Sequence, residues 1–393
     1  MLRRGSRAAS TMLFAFLAAA LAAALALPAG AVPIVPKHDD DVIEVLPSGG
    51  GSRVEERRLR RALAAEPGNA AHAAELAKHY IGLARGSGDP RFAGQALAAL
   101  AAWPDPATAP PQVLLMQATV AQYLHDFDAS VALLERLVAR DPRHAQAWLT
   151  LATVRRVQGR YADSDRACRQ LSALGAGVYG DACLAENQSL RGEWQGARET
   201  LTRLAADPQL DPSTRNWLLT TLAETEERAG NNAAAESAYG KALAASPDAY
   251  TAIAYADWLI ARGRHRDALA LLGEREPNDA ILLRQAIAAT LADAPDAKRA
   301  SAEMRERMAQ ANLRPEARSV HAREQAMFAL WVERQPARAL ELARINVAKQ
   351  REPIDVLLLA QAAKAAGAGD ALREAEHLRS QMGLADRRLD AIL

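Results

Sequence analysis

The sequence predicts an all-α protein, a right-handed superhelix (an α-solenoid) of about nine short helix pairs, on three observations. Half of the 393 residues are apolar, yet aromatics make up only 5%, and alanine-rich segments stand where a β-protein would alternate apolar and polar positions. That favours helix over strand. Small residues then recur along the chain at Ala77, Ala118, Ala152, Ala185, Ala223, Ala256, Ala288, Met327 (the one large exception) and Ala360, at intervals of 41, 34, 33, 38, 33, 32, 39 and 33 residues. Five of the eight fall within two residues of 34, a period too long for one helix and suited to a helix pair. Finally, "GRY" at Gly159, "GEW" at Gly192, "GNN" at Gly230 and "GRH" at Gly263 place a turn residue at the same phase after the alanine.

The first thirty-one residues read as a secretory signal peptide. Arg3, Arg4 and Arg7 form a basic n-region, Met12 to Leu27 is apolar, and Ala29-Gly30-Ala31 is a small-residue cleavage site. Cleavage after Ala31 leaves 45 basic against 47 acidic residues and no second apolar run of spanning length. A soluble, periplasmic or secreted protein with no integral membrane span is therefore expected, and so near-neutral a balance does not suggest a nucleic-acid partner. Residues 32–52, with three prolines, an acidic cluster and a Gly-Ser run, read as a flexible leader. From residue 53 to 393 the pattern is helical, and "RVEERRLRRALAAEP" reads as an amphipathic helix capping the array.

Within the array, units start near 70, 111, 145, 178, 216, 249, 281, 320 and 353. In the third, Trp148, Leu151 and Ala152 share one face of a first helix, Gly159 turns the chain, and Ser164, Ala167, Cys168 and Leu171 share one face of a second. The second helices repeat a small residue and a larger one four places on: Ser130 and Leu134, Ser164 and Cys168, Ala197 and Leu201, Ala235 and Tyr239, Ala268 and Leu272, Ala300 and Met304, with Ala339 and Ala343 more uniform. Small residues are required where two helices cross closely. Pro67, Pro142, Pro208, Pro247 and Pro353 are expected to close units, since a helix cannot continue through them. Register is least defined between Asp293 and Arg334.

These positions follow the tetratricopeptide pattern of a Trp, a Leu-Gly step and a Tyr in the first helix, an alanine and a Phe in the second, and a closing proline. The chain thus resembles the tetratricopeptide-repeat superfamily over nearly all of the segment after the leader. It also resembles a family of exported bacterial proteins of that type through "GDPRFAGQALAALAAWP", "HDFDASVALL", "YADWLIARGR" and "HAREQAMFAL". Arg155, Glu226 and Gln188 depart from the pattern's Tyr. The resemblance implies a solenoid that binds proteins or peptides, and no catalytic activity.

Little in the sequence argues for an enzyme or a cofactor. "GAGVYG", Gly175 to Gly180, matches the dinucleotide fingerprint, but a helix rather than a strand precedes it, so it reads as a turn between units. The eight histidines show no zinc-site spacing, His72 and His79 read as one helix face, and no G-x-S-x-G occurs. The expected role is a scaffold or peptide-binding adaptor of the cell envelope, and the expected oligomeric state is a monomer. Two alternatives stand: a constitutive subunit docking its convex face on an envelope enzyme complex, and a hydrolase with a novel site. Cys168 and Cys183, on adjacent helices of an exported chain, are expected to form a local disulfide. At the far end, "DALREAEHLRSQMGLADRRL" is expected to close the array with Arg373, Glu374, Glu376 and Arg379 mostly exposed. For the binding groove, residues six before and one after the crossing alanine should face the inner curve. They are Tyr179, Trp217 and Tyr250, and Glu186, Glu224 and Asp257. Aromatic shelves beside carboxylates would suit an extended segment bearing Lys or Arg.

Overall fold

Twenty helices and no strand make up the described residues of the computed structural model, which are 50–87, 89, 91–273, 275, 278–313 and 320–393. The segment read as a signal peptide, and the segment read as a leader up to residue 49, lie outside them. Helix α1 is Gly50–Ala65, so the end of the segment read as leader, Gly50 to Ser52, is helical. Nine antiparallel pairs follow in order: α2 (Ala70–Ser87) with α3 (Arg91–Ala99), α4 (Pro111–Tyr123) with α5 (Phe127–Arg140), α6 (Ala145–Val157) with α7 (Tyr161–Ala173), α8 (Val178–Leu190) with α9 (Trp194–Ala205), and α10 (Pro212–Arg228) with α11 (Asn232–Ala245). The series continues with α12 (Ala249–Ala261) and α13 (His265–Gly273), α14 (Asp279–Leu291) and α15 (Ala297–Ala311), α16 (Ala322–Trp331) and α17 (Pro336–Val347), and α18 (Pro353–Ala365) and α19 (Gly369–Met382). A last short helix, α20, spans Arg387–Asp390. The fold is an all-α solenoid.

Local chemistry sets where these helices start. Asp126, Asp211, Asp248 and Asn278 each accept a hydrogen bond from the backbone N–H three residues on, at 3.2, 2.9, 2.8 and 2.9 Å, satisfying a donor that has no partner inside the helix. Pro111, Pro212, Pro336 and Pro353 sit in the first turn, where a missing N–H costs nothing. Pro353 therefore opens α18 instead of closing the unit before it. Within pairs, one residue of every turn from the second pair to the ninth is left-handed: His125, Gly159, Gly192, Gly230, Gly263, Asp293, Arg334 and Gly367, with φ between 50° and 88°. Glycine takes that conformation without a steric penalty, whereas His125, Asp293 and Arg334 hold it at a cost.

Packing follows the small residues. The nine residues of the 34-residue series are all buried, eight of them alanines at 1% exposure or less, and so are Ser130, Ser164, Ala197, Ala235, Ala268, Ala300 and Ala339 with the residues four places on. Short side chains let the two helices of a pair approach, and the larger neighbour fills the space beside the crossing. Each first helix also packs beside the first helix of the next pair. Between α7 and α8 the Cys168 and Cys183 sulfurs form a disulfide, their Cα atoms 5.6 Å apart. The first half of "GAGVYG", Gly175 to Gly177, is the turn between these helices, with Gly175 and Gly177 at φ +75° and +50°, and Val178 to Gly180 begin α8.

The array does not end in a free cap. From Glu55 onward the chain is a single unit, because its C-terminal part returns to the middle pairs. One apolar cluster joins Tyr161 and Leu190 to the seventh, eighth and ninth pairs and to Leu384 and Leu389. The Arg351 N–H donates to the Val157 carbonyl at 2.7 Å, and the Ala385 N–H to the Leu190 carbonyl at 2.8 Å. Arg373 and Glu376 are exposed as expected, but Glu374 and Arg379 are half-buried, held by Arg344 and Asp390 respectively. No described helix is long and apolar enough to cross a membrane.

Candidate functional site

The three aromatic–acid sets lie on consecutive first helices: Tyr179 and Glu186 on α8, Trp217 and Glu224 on α10, Tyr250 and Asp257 on α12. Two such positions on one helix are seven residues and about 10 Å apart along the axis. Neighbouring helices pack about 8–10 Å apart, so long side chains meet across helices more readily than along one. The observed contacts do run between units. The Tyr179 ring stacks on Trp217 with centroids 5.7 Å apart and planes 27° apart, within the range that favours offset aromatic pairs. The Tyr179 hydroxyl shares a hydrogen bond with Thr214 Oγ1 at 3.1 Å. Tyr250 Oη donates to Glu224 Oε1 at 2.7 Å, joining the sixth unit's aromatic to the fifth unit's acid.

The other two acids are engaged by arginines. Glu186 pairs with Arg156 of the preceding unit at 2.9 Å. Asp257 accepts a two-pronged contact from Arg284 of the following unit, Nε at 3.0 Å and Nη2 at 2.9 Å. A forked pair such as Arg284–Asp257 is the strong kind of ion pair, and the two pairs together cancel much of the negative charge that Glu186 and Asp257 alone would present. Glu224 is the exception. Burial, the foremost cause, pushes its carboxyl up to about 7 against the opposing pull of Arg228 and of the Tyr250 hydroxyl, with Glu186 and Glu227 adding like-charge repulsion. Tyr250 is pushed well above the ordinary tyrosine range, first by the charge of Glu224 and then by burial, with Glu352 of the ninth unit acting on it as well. The residue is nevertheless 61% exposed. The residue is thus open to solvent, while its hydroxyl is held against the Glu224 carboxylate.

The returning C-terminal units pack on the third and fourth pairs, where Arg351 and Ala385 bond the Val157 and Leu190 carbonyls, and the charge of Glu352 acts on Tyr250. Burial lowers the pKa of His125, in the turn of the second pair, with Glu324, Arg323, His321 and Glu352 acting on it too. Arg323 in turn holds Asp355 through Nε at 2.6 Å and Nη2 at 2.9 Å, and also binds Glu352. Asp355 is fully buried and accepts from Asn346 at 2.6 Å and from the Glu352 N–H at 2.8 Å. Sequence reading missed Arg156, Arg284, Arg323 and Glu352. For Arg156 and Arg284 the signal was a charge opposite in sign to a candidate residue about one repeat away; Arg323 and Glu352 face no candidate residue of opposite charge.

Two recesses lie elsewhere. One of about 230 Å³ is polar, lined by Arg85, Thr119, Gln122, Gln146, Thr150 and Thr153 among others. Another of about 300 Å³ lies between the second and third pairs, beside Trp148, Glu135 and Arg155. Neither places a nucleophile beside a base, and among the described residues no group of three or more His, Cys, Asp or Glu is arranged to hold a metal ion. His72 lies 3.7 Å from Glu66 at a helix start.

Residues 115–176 match the family model of the tetratricopeptide repeat. Among curated proteins, none matches the chain. Among solved structures, the chain is similar to a tetratricopeptide repeat protein from Parabacteroides merdae, at 16% identity and a TM-score of 0.46 over 57% of this chain and 86% of that one. It is similar to Pseudomonas aeruginosa pilF at 16% identity and a TM-score of 0.37, over 50% and 90%. It is also similar to the human IFIT1 dimer with m7Gppp-AAAA at 14% identity and a TM-score of 0.46, over 85% and 86%.

Proposed function

With residues 115–176 placed in the tetratricopeptide-repeat superfamily, we propose that this chain is a non-enzymatic adaptor that holds an extended polypeptide segment against the inner wall of its fourth, fifth and sixth units. The observation that carries this is the wall itself: the Tyr179–Trp217 stack beside the exposed Tyr250 ring, whose hydroxyl rests on Glu224. Flat aromatic shelves receive apolar stems and peptide planes at little entropic cost, and a carboxylate beside an aromatic receives a cation. Because Glu186 and Asp257 are already paired, one Lys or Arg of the segment is placed at the Tyr250–Glu224 pair, and the rest is held by its backbone and by stacking. No cofactor enters this reading.

The basic n-region, apolar run and A-x-A site support export to the periplasm or beyond. The chain acts there as a monomer. N-terminal sequencing of the protein from its native host tests this, with Val32 as the first residue expected and an intact Met1 contradicting it. Binding is tested by fluorescence anisotropy with labelled twelve-residue alanine-rich peptides bearing either lysine or glutamate. The lysine peptide should bind more tightly, weaken with salt, and lose at least tenfold in affinity to Trp217→Ala combined with Glu224→Gln. Equal affinity for both peptides, or for parent and variant, would contradict the reading.

A further inference from the structure

The tail after α19 lies on the molecule as a peptide lies on a receptor. Gly383, left-handed at φ +66°, ends α19; Met382, the last residue of that helix, lies on the turn of the third pair, and the chain then crosses the turns of the fourth and fifth. A Cβ at Gly159 would stand 2.9 Å from Met382 Cγ, one at Gly192 would stand 3.0 Å from Ala385 Cβ, and one at Gly230 would stand 3.2 Å from Arg387 Cδ. Turn glycines of the other pairs, Gly263 and Gly367, face open space. The five share the left-handed conformation, so the absence of a side chain serves two ends at three of them: it permits the turn and it seats the tail.

Specific contacts fix the register. The Ala385 N–H bonds the Leu190 carbonyl at 2.8 Å, Leu384 and Leu389 are buried, and the Arg387 guanidinium lies 5.4 Å from the centre of the Trp194 ring. Arg388 donates to Glu227 at 2.7 Å and to Asp386 at 2.9 Å. A main-chain hydrogen bond, two buried leucines and a forked arginine are the means by which an extended segment is recognised on a surface. Few residues make these contacts, and the helix they carry, α20, is only four residues long. Segments joined by so few contacts open before the rest of a fold does.

We propose that Met382–Leu393 is a displaceable latch: a segment bound in cis to the turn edge of the third, fourth and fifth pairs, whose release loosens the returning C-terminal units and admits a partner to the inner wall. The gating half rests on the peptide-binding reading above; the latch itself does not.

Hydrogen exchange on the full chain tests it, with variants of glycines that are all left-handed in the parent. Gly159→Ala with Gly192→Ala puts methyl groups into the tail's seat, whereas Gly263→Ala with Gly367→Ala places them in open space at comparable positive φ. The first pair should speed exchange of the Ala385 amide at least tenfold relative to the second, with the amides of α10 responding alike in both. Arg388→Ala should act in the same direction as the first pair. In the parent protein, Ala385 should already exchange faster than the α10 amides. Exchange at Ala385 that tracks α10 in the parent and does not distinguish the two glycine pairs would overturn the latch. For gating, the labelled lysine peptide should associate several-fold faster with the Gly159→Ala, Gly192→Ala protein than with the Gly263→Ala, Gly367→Ala protein. Accelerated exchange with an unchanged association rate would overturn gating while leaving the docked tail intact. A peptide that binds neither protein would count against the inner-wall reading, and the exchange result would still decide the latch.

Discussion

Replacing Glu224 with glutamine should stabilise the protein at alkaline pH and do little at acid pH. The carboxyl titrates at about 7 in the folded chain against 4.5 for an ordinary glutamate, with burial the foremost cause. A group raised in this way binds its proton more tightly when folded, so its favourable contribution is complete below pH 4.5 and is lost as pH rises through 7. At about 1.4 kcal/mol per tenfold change in proton affinity, the full difference is about 3 kcal/mol. Solvent reaches part of the half-buried side chain, and screening reduces this to about 1–2 kcal/mol. Glutamine keeps an oxygen to accept from Tyr250 and carries no charge at any pH. Urea unfolding of parent and Glu224→Gln at pH 4.5 and pH 8.5 measures the effect: a gain of about 1–2 kcal/mol at pH 8.5 and near zero at pH 4.5. An equal change at both pH values, or a loss at pH 8.5, would refute the assignment of Glu224 as a carboxylate held against its charge.

Three further changes are expected. Arg334→Gly, at an exposed turn with φ +56°, should stabilise by about 0.5–1 kcal/mol in thermal melts by relieving left-handed strain, while the same change made in a helix interior would destabilise. Asp257→Asn should cost about 3 kcal/mol, since it leaves the buried Arg284 charge without its forked partner; a loss under 0.5 kcal/mol would mean that water already shares that pair. Reducing the Cys168–Cys183 bridge, which spans a separation of 15 residues, should lower stability by about 3 kcal/mol through the chain entropy returned to the unfolded state, and intact mass after alkylation without reductant should show no modified thiol.

The helical class and the repeat phase were legible because both depend on local rules. A crossing needs a small residue, a turn needs a left-handed one, and each recurs every helix pair. Phase survived even where the residue was unfavourable, as at His125, Asp293 and Arg334, where tertiary packing holds a conformation that the residue type disfavours. Pro353 shows the limit of a local rule, since the same ring geometry serves either side of a helix start. Candidate wall residues could be placed on helices but not paired, because pairing depends on which helices lie side by side. Contacts between neighbouring units join opposite charges at separations of 27 to 32 residues, as in Arg284 with Asp257, Arg198 with Glu226, Arg344 with Glu374 and Arg323 with Asp355. The pair of Arg198 with Glu226 also explains one departure from the repeat pattern, the carboxylate standing at a tyrosine position being met by an arginine from α9. The return of the tail was not legible at all. Arg388 and Glu227 are 161 residues apart, and no periodicity within the repeats announces a contact that depends on the curvature of the whole array.

The claim that a partner is held on the inner wall is tested most directly by site-specific photo-crosslinking. A photoreactive amino acid replaces Tyr250, a residue 61% exposed, or Arg299, an exposed position on the second helix α15, and each protein is irradiated with a cell-envelope extract. Covalent capture of the same polypeptide from Tyr250 and not from Arg299 is the predicted result. Capture from Arg299 with none from Tyr250 would contradict it and would place the partner on the outer helices.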